Sequence, residues 1–526
     1  MKRLNRLTRL LMASAISVAA FAPAVSADPL RIAIGGAFTS MDPHFYNATP
    51  NHTVAMHIFD RLIDRRPDTS LAPALALSWE AVSDTEWLFH LRDGVTWHDG
   101  EPFTADDVAF TYTRARDVPN SPGGFGGFLR EVESVEVIDD LTLKITTPVP
   151  APNLPRNLAF VPIISRHVGE TATTEDYNAG TAVIGTGPYR FVSYAPSDRV
   201  EYARNDDWWG EAQPWDTVTL RMIPSAGARV AALLSGDVDV IDTPPSGDLE
   251  RLRSDDNLAV YSTPGMRVMY VGLNQTDSAP GVSGPNGEAL DTNPLQDPRV
   301  RRALSLAINR EGLATRLMQG AAVPTGQWLS EGQFSYAPSV EVPPYDVAAA
   351  QALLAEAGYP DGFTLPVFGP NDRYPGDAAT TQALAQMWAR LGLRTSVDSQ
   401  PWSTYSGITG TGELSVGLLG WGSPTGEAGY LLTNVLHTRD ADAGTGIFNT
   451  GRYSNPELDA LVDTAMATLD DAEREALLIQ AVEMVDADTA MIPLFMLINN
   501  WATRSTVTID ARRDERTLAI DIHPAQ

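Results

Sequence analysis

The chain has 526 residues, too many for one ordinary hydrophobic core, so two or three domains are expected. Hydrophobic residues make up 43% and charged residues 20%, which excludes an intrinsically disordered chain and a polytopic membrane protein. With 66 acids against 38 bases the formal net charge is -28, and this excludes a nucleic-acid binder, which needs a cationic surface to displace phosphate counterions.

In chain order, residues 1–27 read as an export signal. Lys2, Arg3, Arg6 and Arg9 form a cationic stretch without acids, and the apolar run Leu10 to Ala22 is well short of the about 20 residues that span a bilayer. Val25-Ser26-Ala27 puts small residues at the cleavage position, before Asp28. The chain has no cysteine, so no disulfide frames the fold and no lipid-modified cysteine follows cleavage. The expected compartment is the periplasm, without a lipid anchor.

A strand is expected at Leu30 to Ile34, a helix around Val54 to Ile63, and a strand at Trp87 to Arg92 with Trp87, Phe89 and Leu91 on one face. Thr104 to Arg114 reads as a helix in which Thr104 and Asp107 form a capping-box pair. Strands follow at Val132 to Ile138, Leu141 to Thr146 and Tyr189 to Tyr194. Asn274 to Leu295 is rich in Gly, Pro, Asn and Ser and reads as a long surface loop. Asp297-Pro298 starts a helix with Val300, Ala303, Leu304, Ala307 and Ile308 on one face; Asp346 to Ala357 is a second and Asn455-Pro456 opens a third. Mixed strands and helices throughout imply an α/β or α+β protein with more than one lobe.

Catalytic signatures are missing. There is no Gly-x-Ser-x-Gly elbow, no His-Glu-x-x-His and no Gly-Lys phosphate loop, since Lys2 and Lys144 are the only lysines. His52 and His57, five apart, would lie about 140° apart on a straight helix, poor geometry for a shared metal. No catalytic residue, metal or cofactor is therefore assigned. The eleven tryptophans are more informative. Pro401-Trp402-Ser403-Thr404-Tyr405 and Gly420-Trp421-Gly422-Ser423 set aromatics among loop-forming residues, where they offer stiff contact area to a ligand or plug a core.

Motifs spread over the chain carry a resemblance. They begin with Ser40-Met41-Asp42-Pro43-His44 and Ile58-Phe59-Asp60-Arg61-Leu62, and continue through the block from Phe89 to Gly100 into Pro102 to Val108. Gly185-Thr186-Gly187-Pro188-Tyr189, Leu233 to Asp239, Arg299 to Ala303, Leu353 to Tyr359 and Gly420-Trp421 follow in order. In these the chain resembles family 5 of the bacterial extracellular solute-binding proteins, the periplasmic receptors of peptide-type ABC importers.

The resemblance implies a two-lobed periplasmic-binding-protein fold of type II with an extra subdomain and a ligand cleft between the lobes. Lobe I would comprise 28–46, 183–268 and 488–526, the extra subdomain 47–182 and lobe II 269–487, with crossings near Gly265 to Tyr270 and near Thr489. It implies a monomer that closes about a hinge on a short peptide or related amino-bearing solute and delivers it to the ABC permease. An oligosaccharide, an opine or a metal chelate is the alternative ligand, and a periplasmic hydrolase the remote alternative. Glu427, six positions after Trp421, would by analogy pair with a ligand amine. Trp402, Tyr405 and Trp421 would stand on or near the cleft, with Tyr270, Asn274 and His44 as further candidates.

Overall fold

The computed structural model describes residues 29–525, so the expected signal segment and its cleavage site lie outside the described residues. Among these residues no helix is long and apolar enough to cross a membrane.

One sheet runs through both lobes. Its order is Arg394–Gln400, Thr364–Pro370, Val416–Gly422, Leu258–Leu273, Ile492–Arg504, Val240–Asp242, Leu30–Ile34, Thr217–Met222, Arg199–Arg204 and Tyr189–Ala195, with Ala322–Pro324 pairing on Ile492–Arg504. Near each end it is α/β in character. In lobe I, Leu30–Ile34 runs parallel to both Thr217–Met222 and Val240–Asp242, and the crossover between the latter two carries the helix Ala226–Ser235. In lobe II, Thr364–Pro370 runs parallel to Arg394–Gln400 through the helix Asp377–Ala389. Parallel neighbours need such crossovers, and the helices cover the apolar faces that result.

Two long strands join the lobes. Leu258–Leu273 pairs through Leu258 to Pro264 with Arg504 to Ile498, and after a register shift its second part, Arg267 to Leu273, pairs with Gly422 to Val416 of lobe II. Gly265 stands at the shift, where an added Cβ would meet Asn499 Oδ1 at 2.7 Å, so the absence of a side chain lets the strands approach. The second long strand crosses downstream of Thr489. Its first residues pair with strands on the lobe II side: Ile492 and Pro493 with Val271 and Tyr270, and Phe495 with Pro324.

The extra subdomain is a four-stranded antiparallel sheet in the order Ala76–Ser83, Glu86–Leu91, Thr142–Thr146, Ser134–Asp139. Trp87, Phe89 and Leu91 are buried in one core, as their alternation predicts. The helix Ala105–Arg114 begins as expected: the Asp107 carboxylate accepts the Thr104 N–H at 2.9 Å and the Arg166 N–H at 2.7 Å. The helices Pro298–Leu306, Val347–Glu356 and Pro456–Ala467 start on Asp297, Asp346 and Asn455, whose side chains accept backbone N–H groups of the first turn.

Two local expectations are corrected. The helix placed at Val54 to Ile63 is observed at Thr49–Ala55. Beyond it the carbonyls of His57 and Ile58 accept the N–H groups of Tyr189 and Gly187, at 3.0 and 2.8 Å, so a neighbouring segment takes the groups a longer helix would use. Trp402 and Tyr405 lie on a helix, Trp402–Thr409, rather than in a loop, and Trp421 lies in the strand Val416–Gly422. Pro401 pre-sets the helix entry, and Asp372 Oδ1 accepts the otherwise orphaned Trp402 N–H at 2.6 Å.

Candidate functional site

Where the long strands cross, a cavity of about 620 Å³ opens between the lobes. That is within the range of small-molecule sites, roughly 300–1,000 Å³. Met266, Arg267 and Tyr270 of the first long strand line it. Lobe II contributes Tyr374, Trp402, Trp421, Tyr430 and Phe448, and the opposite wall includes Arg65, Phe128, Phe160 and the segment Arg513 to Arg516.

Strand register places two of these side chains, Tyr270 and Trp421. Trp421 pairs directly with Val268, and Leu419 with Tyr270, so these four residues share one face of the sheet. The Trp421 ring lies 5.5 Å from Tyr430 and 5.3 Å from Phe448, and Trp402 lies 6.0 Å from Tyr374, edge-on. Gly420 makes room for Tyr374: a Cβ there would meet the Tyr374 ring at 2.8 Å, and Tyr374 Oη donates to the Gly420 carbonyl at 3.3 Å. On the other wall Phe128 and Phe160 stack at 4.4 Å with rings 2° apart, and Arg65 lies over Phe160 at 4.8 Å. Aromatic walls of this kind provide contact area at little conformational cost.

The structure brings Tyr270, Trp402 and Trp421 together in the cleft and leaves the other four candidates outside it. Glu427 corrects the expectation most sharply. It is fully buried, its Oε2 lies 3.1 Å from Nη1 of the equally buried Arg474, and its Oε1 accepts the Tyr430 N–H at 3.0 Å. Asn153 of the extra subdomain donates to Glu427 Oε1 at 3.4 Å and accepts from Arg474 at 3.1 Å. A carboxylate committed to this network has no free face for a ligand amine.

Tyr405 is buried and donates to the Leu418 carbonyl at 3.0 Å; Asn274 is buried and donates to the carbonyls of Gly412 and Leu414, at 3.1 and 2.9 Å. Both hold backbone. His44 is also fully buried, with Nε2 2.8 Å from the Pro162 carbonyl and Nδ1 3.1 Å from Arg114, and burial with the neighbouring Arg114 lowers it to about 4. It is a neutral structural histidine.

A second cavity, about 660 Å³, lies between the extra subdomain and lobe II, lined among others by Trp79, Trp87, Arg156, Phe334, Asp471 and Arg474. None of the seven candidates lines it, and the long strands do not reach it. No group of three or more His, Asp or Glu side chains suited to a metal ion occurs among the described residues.

Sequence reasoning missed the arginines of the cleft: Arg65, Arg267, Arg373, Arg513 and Arg516. They come from four separate segments of the chain, Arg513 and Arg516 sharing one, and only the fold gathers them. Asp514 lies among them, and although burial opposes its charge, Arg512 and Arg516 hold its carboxyl far below the usual range, with contacts of 2.8 and 2.6 Å.

The comparisons with known proteins agree with this architecture. The family model for bacterial extracellular solute-binding proteins, family 5 Middle, matches residues 70–443. The glutathione-binding protein GsiB of Pectobacterium atrosepticum is 31% identical over 92% of this chain and 92% of its own length. Heme-binding protein A of Haemophilus influenzae is 29% identical over 85% of this chain and 82% of its own. Among solved structures, HbpA2 from Haemophilus parasuis superposes with a TM-score of 0.84 at 25% identity, covering 95% of this chain and all of that one. With a two-lobed fold joined by long strands, and a match over most of its length, this chain belongs to family 5 of the bacterial extracellular solute-binding proteins.

Proposed function

We propose that the chain is the periplasmic receptor of a peptide-type ABC importer, a monomer that captures a short peptide in the interlobe cleft, closes about the two long strands and presents the closed form to the permease. The observation that carries this reading is the aromatic cavity whose walls come from both lobes and which Met266, Arg267 and Tyr270 of the first long strand line. A solute seated there touches both lobes at once, so its binding energy stabilises the closed arrangement over the open one. Tyr270, Trp402 and Trp421 supply apolar contact, while water fills what a smaller side chain leaves empty. Relatives named for glutathione and for a dipeptide support the peptide class. No residue of the cleft is given a catalytic role in this reading.

The test is calorimetric titration of the mature protein with glutathione and a panel of di- and tripeptides, with solution scattering of the same samples. One-to-one binding accompanied by a smaller radius of gyration is the expected result. Binding without compaction contradicts the hinge mechanism, and cleavage of the peptide contradicts a receptor.

A further inference from the structure

Three arginines reach the cleft without an acid to hold them. Arg65 ends the strand Ile63–Arg65 on the lobe I side, Arg267 belongs to the first long strand, and Arg373 precedes the lobe II helix Asp377–Ala389. Among the described residues no guanidinium nitrogen of the three lies within 4.0 Å of a carboxylate; the Asp377 carboxylate beside Arg373 accepts its backbone N–H instead, at 2.9 Å. Their contacts are aromatic instead: Arg65 over Phe160 at 4.8 Å, Arg267 over Tyr374 at 5.9 Å, and Arg373 over Tyr374 and Trp402 at 5.3 and 5.5 Å.

Arg65 is the most telling. It is 3% exposed, and its guanidinium has one side-chain contact of hydrogen-bond type, a weak one from Nη2 to Met266 Sδ at 4.0 Å. Burial, with Arg516 and Arg512 adding to it against Asp514, lowers Arg65 to about 9, so it stays charged at neutral pH. Its nearest acid, Asp514, is already bonded to Arg512 and Arg516, so the buried Arg65 charge is only partly compensated, and an arriving anion would relieve it.

The acids of the site do not fill that place. Asp514 is committed to Arg512 and Arg516, and Glu515, the other acid lining the cleft, is exposed. His52, also in the wall, is buried and held neutral, its pKa lowered well below the ordinary value by burial and by Arg516 and Arg61. Five arginines therefore face two acids in the cleft of a chain whose net charge is -28. The cleft is locally of opposite sign to the molecule, which points to a ligand rather than to a solvated surface.

Given the cleft reading above, on which this rests, we propose that the solute is a polyanion with at least two carboxylates, one taken by Arg65 on the lobe I side and another by Arg267 or Arg373 on the lobe II side. A guanidinium stacked on an aromatic ring keeps its planar edge free for bidentate pairing with a carboxylate. Two such pairs on opposite walls would link the lobes through the charge of the ligand, so that the anion itself drives closure. An acidic peptide and a non-peptide polycarboxylate share this chemistry, and the experiment separates them.

The mature protein is titrated at fixed ionic strength with the tripeptide Glu–Ala–Glu, with its carboxylate-free counterpart Gln–Ala–Gln amidated at the C-terminus, with Lys–Ala–Lys and with citrate. Glu–Ala–Glu is expected to bind about thirtyfold or more tightly than the amidated Gln–Ala–Gln and to weaken as salt is raised. Arg373→Gln is expected to remove about tenfold of that preference; Arg373 is exposed, so the variant should fold, whereas Arg65→Met is read only where its circular dichroism matches the parent. Equal binding of the carboxylate-free or the lysine peptide overturns the anionic assignment while leaving the peptide receptor intact. Binding of citrate with none of the peptides supports the anionic assignment and overturns the peptide reading. If neither anion raises the melting temperature, the anionic assignment fails.

Discussion

Replacing Glu427 by Gln separates the two roles that this residue could have. The substitution keeps the shape of the side chain and an amide oxygen for the Tyr430 N–H, but it removes the charge that faces Arg474. Both partners are at most 1% exposed, so water does not replace what is lost. Removing one member of a buried ion pair costs about 3–5 kcal/mol. Arg474 retains Asn153 Oδ1 at 3.1 Å and the exposed Asp471 at 3.4 Å, which places the expected cost at the lower end, about 3 kcal/mol. Urea denaturation followed by hydrogen exchange of lobe II amides reads that loss, and titration of the folded variant reads affinity. We expect the lower stability with ligand affinity unchanged within about twofold. Stability held within about 1 kcal/mol, with amino-bearing ligands weakened more than N-blocked ones, would refute the structural role and return Glu427 to amine recognition.

Three further outcomes follow from the same geometry. Trp421→Ala should weaken ligand binding by about 2 kcal/mol by calorimetry, and a folded variant with parental affinity would remove Trp421 from the site. Tyr405→Phe should cost about 1 kcal/mol of stability, from the lost bond to the Leu418 carbonyl, and leave affinity alone; a binding defect at parental stability would place Tyr405 in the cleft after all. His57 is lowered by burial to about 4, despite its bond to the Thr53 carbonyl, so between pH 6.5 and 4 the unfolded chain binds a proton that the native state does not. Its contribution is present above pH 6.5 and is lost as the pH falls; between pH 7 and 5 the parent should lose about 2 kcal/mol more than His57→Gln, and parallel stability profiles would contradict the neutral assignment.

The parts of the fold written in local pattern were legible in the sequence. Helix starts at Asp297, Asp346 and Asn455 rest on a capping side chain and the residues directly after it, and the alternation of Trp87, Phe89 and Leu91 rests on neighbours two apart. Of the aromatic candidates, Tyr270 and Trp421 line the cleft through strand register, and Trp402 lines it from the first turn of a helix. Glu427 does not, because its fate is decided by Arg474 and Asn153, 47 and 274 positions away in the chain. The cleft arginines illustrate the same limit. Nothing in the local sequence around Arg65, Arg267 or Arg373 marks it as unpaired, since the absence of a counterion is a property of the packed molecule.

Native mass spectrometry of the exported protein as purified, before and after addition of glutathione and of Glu–Ala–Glu, tests the central claim most directly. A one-to-one complex with a short acidic peptide, present as purified or formed on addition, is expected, and it should weaken about thirtyfold in Trp421→Ala. A protein that stays empty with both peptides, or that carries a neutral or cationic solute unaffected by Trp421→Ala and Arg373→Gln, would contradict that claim.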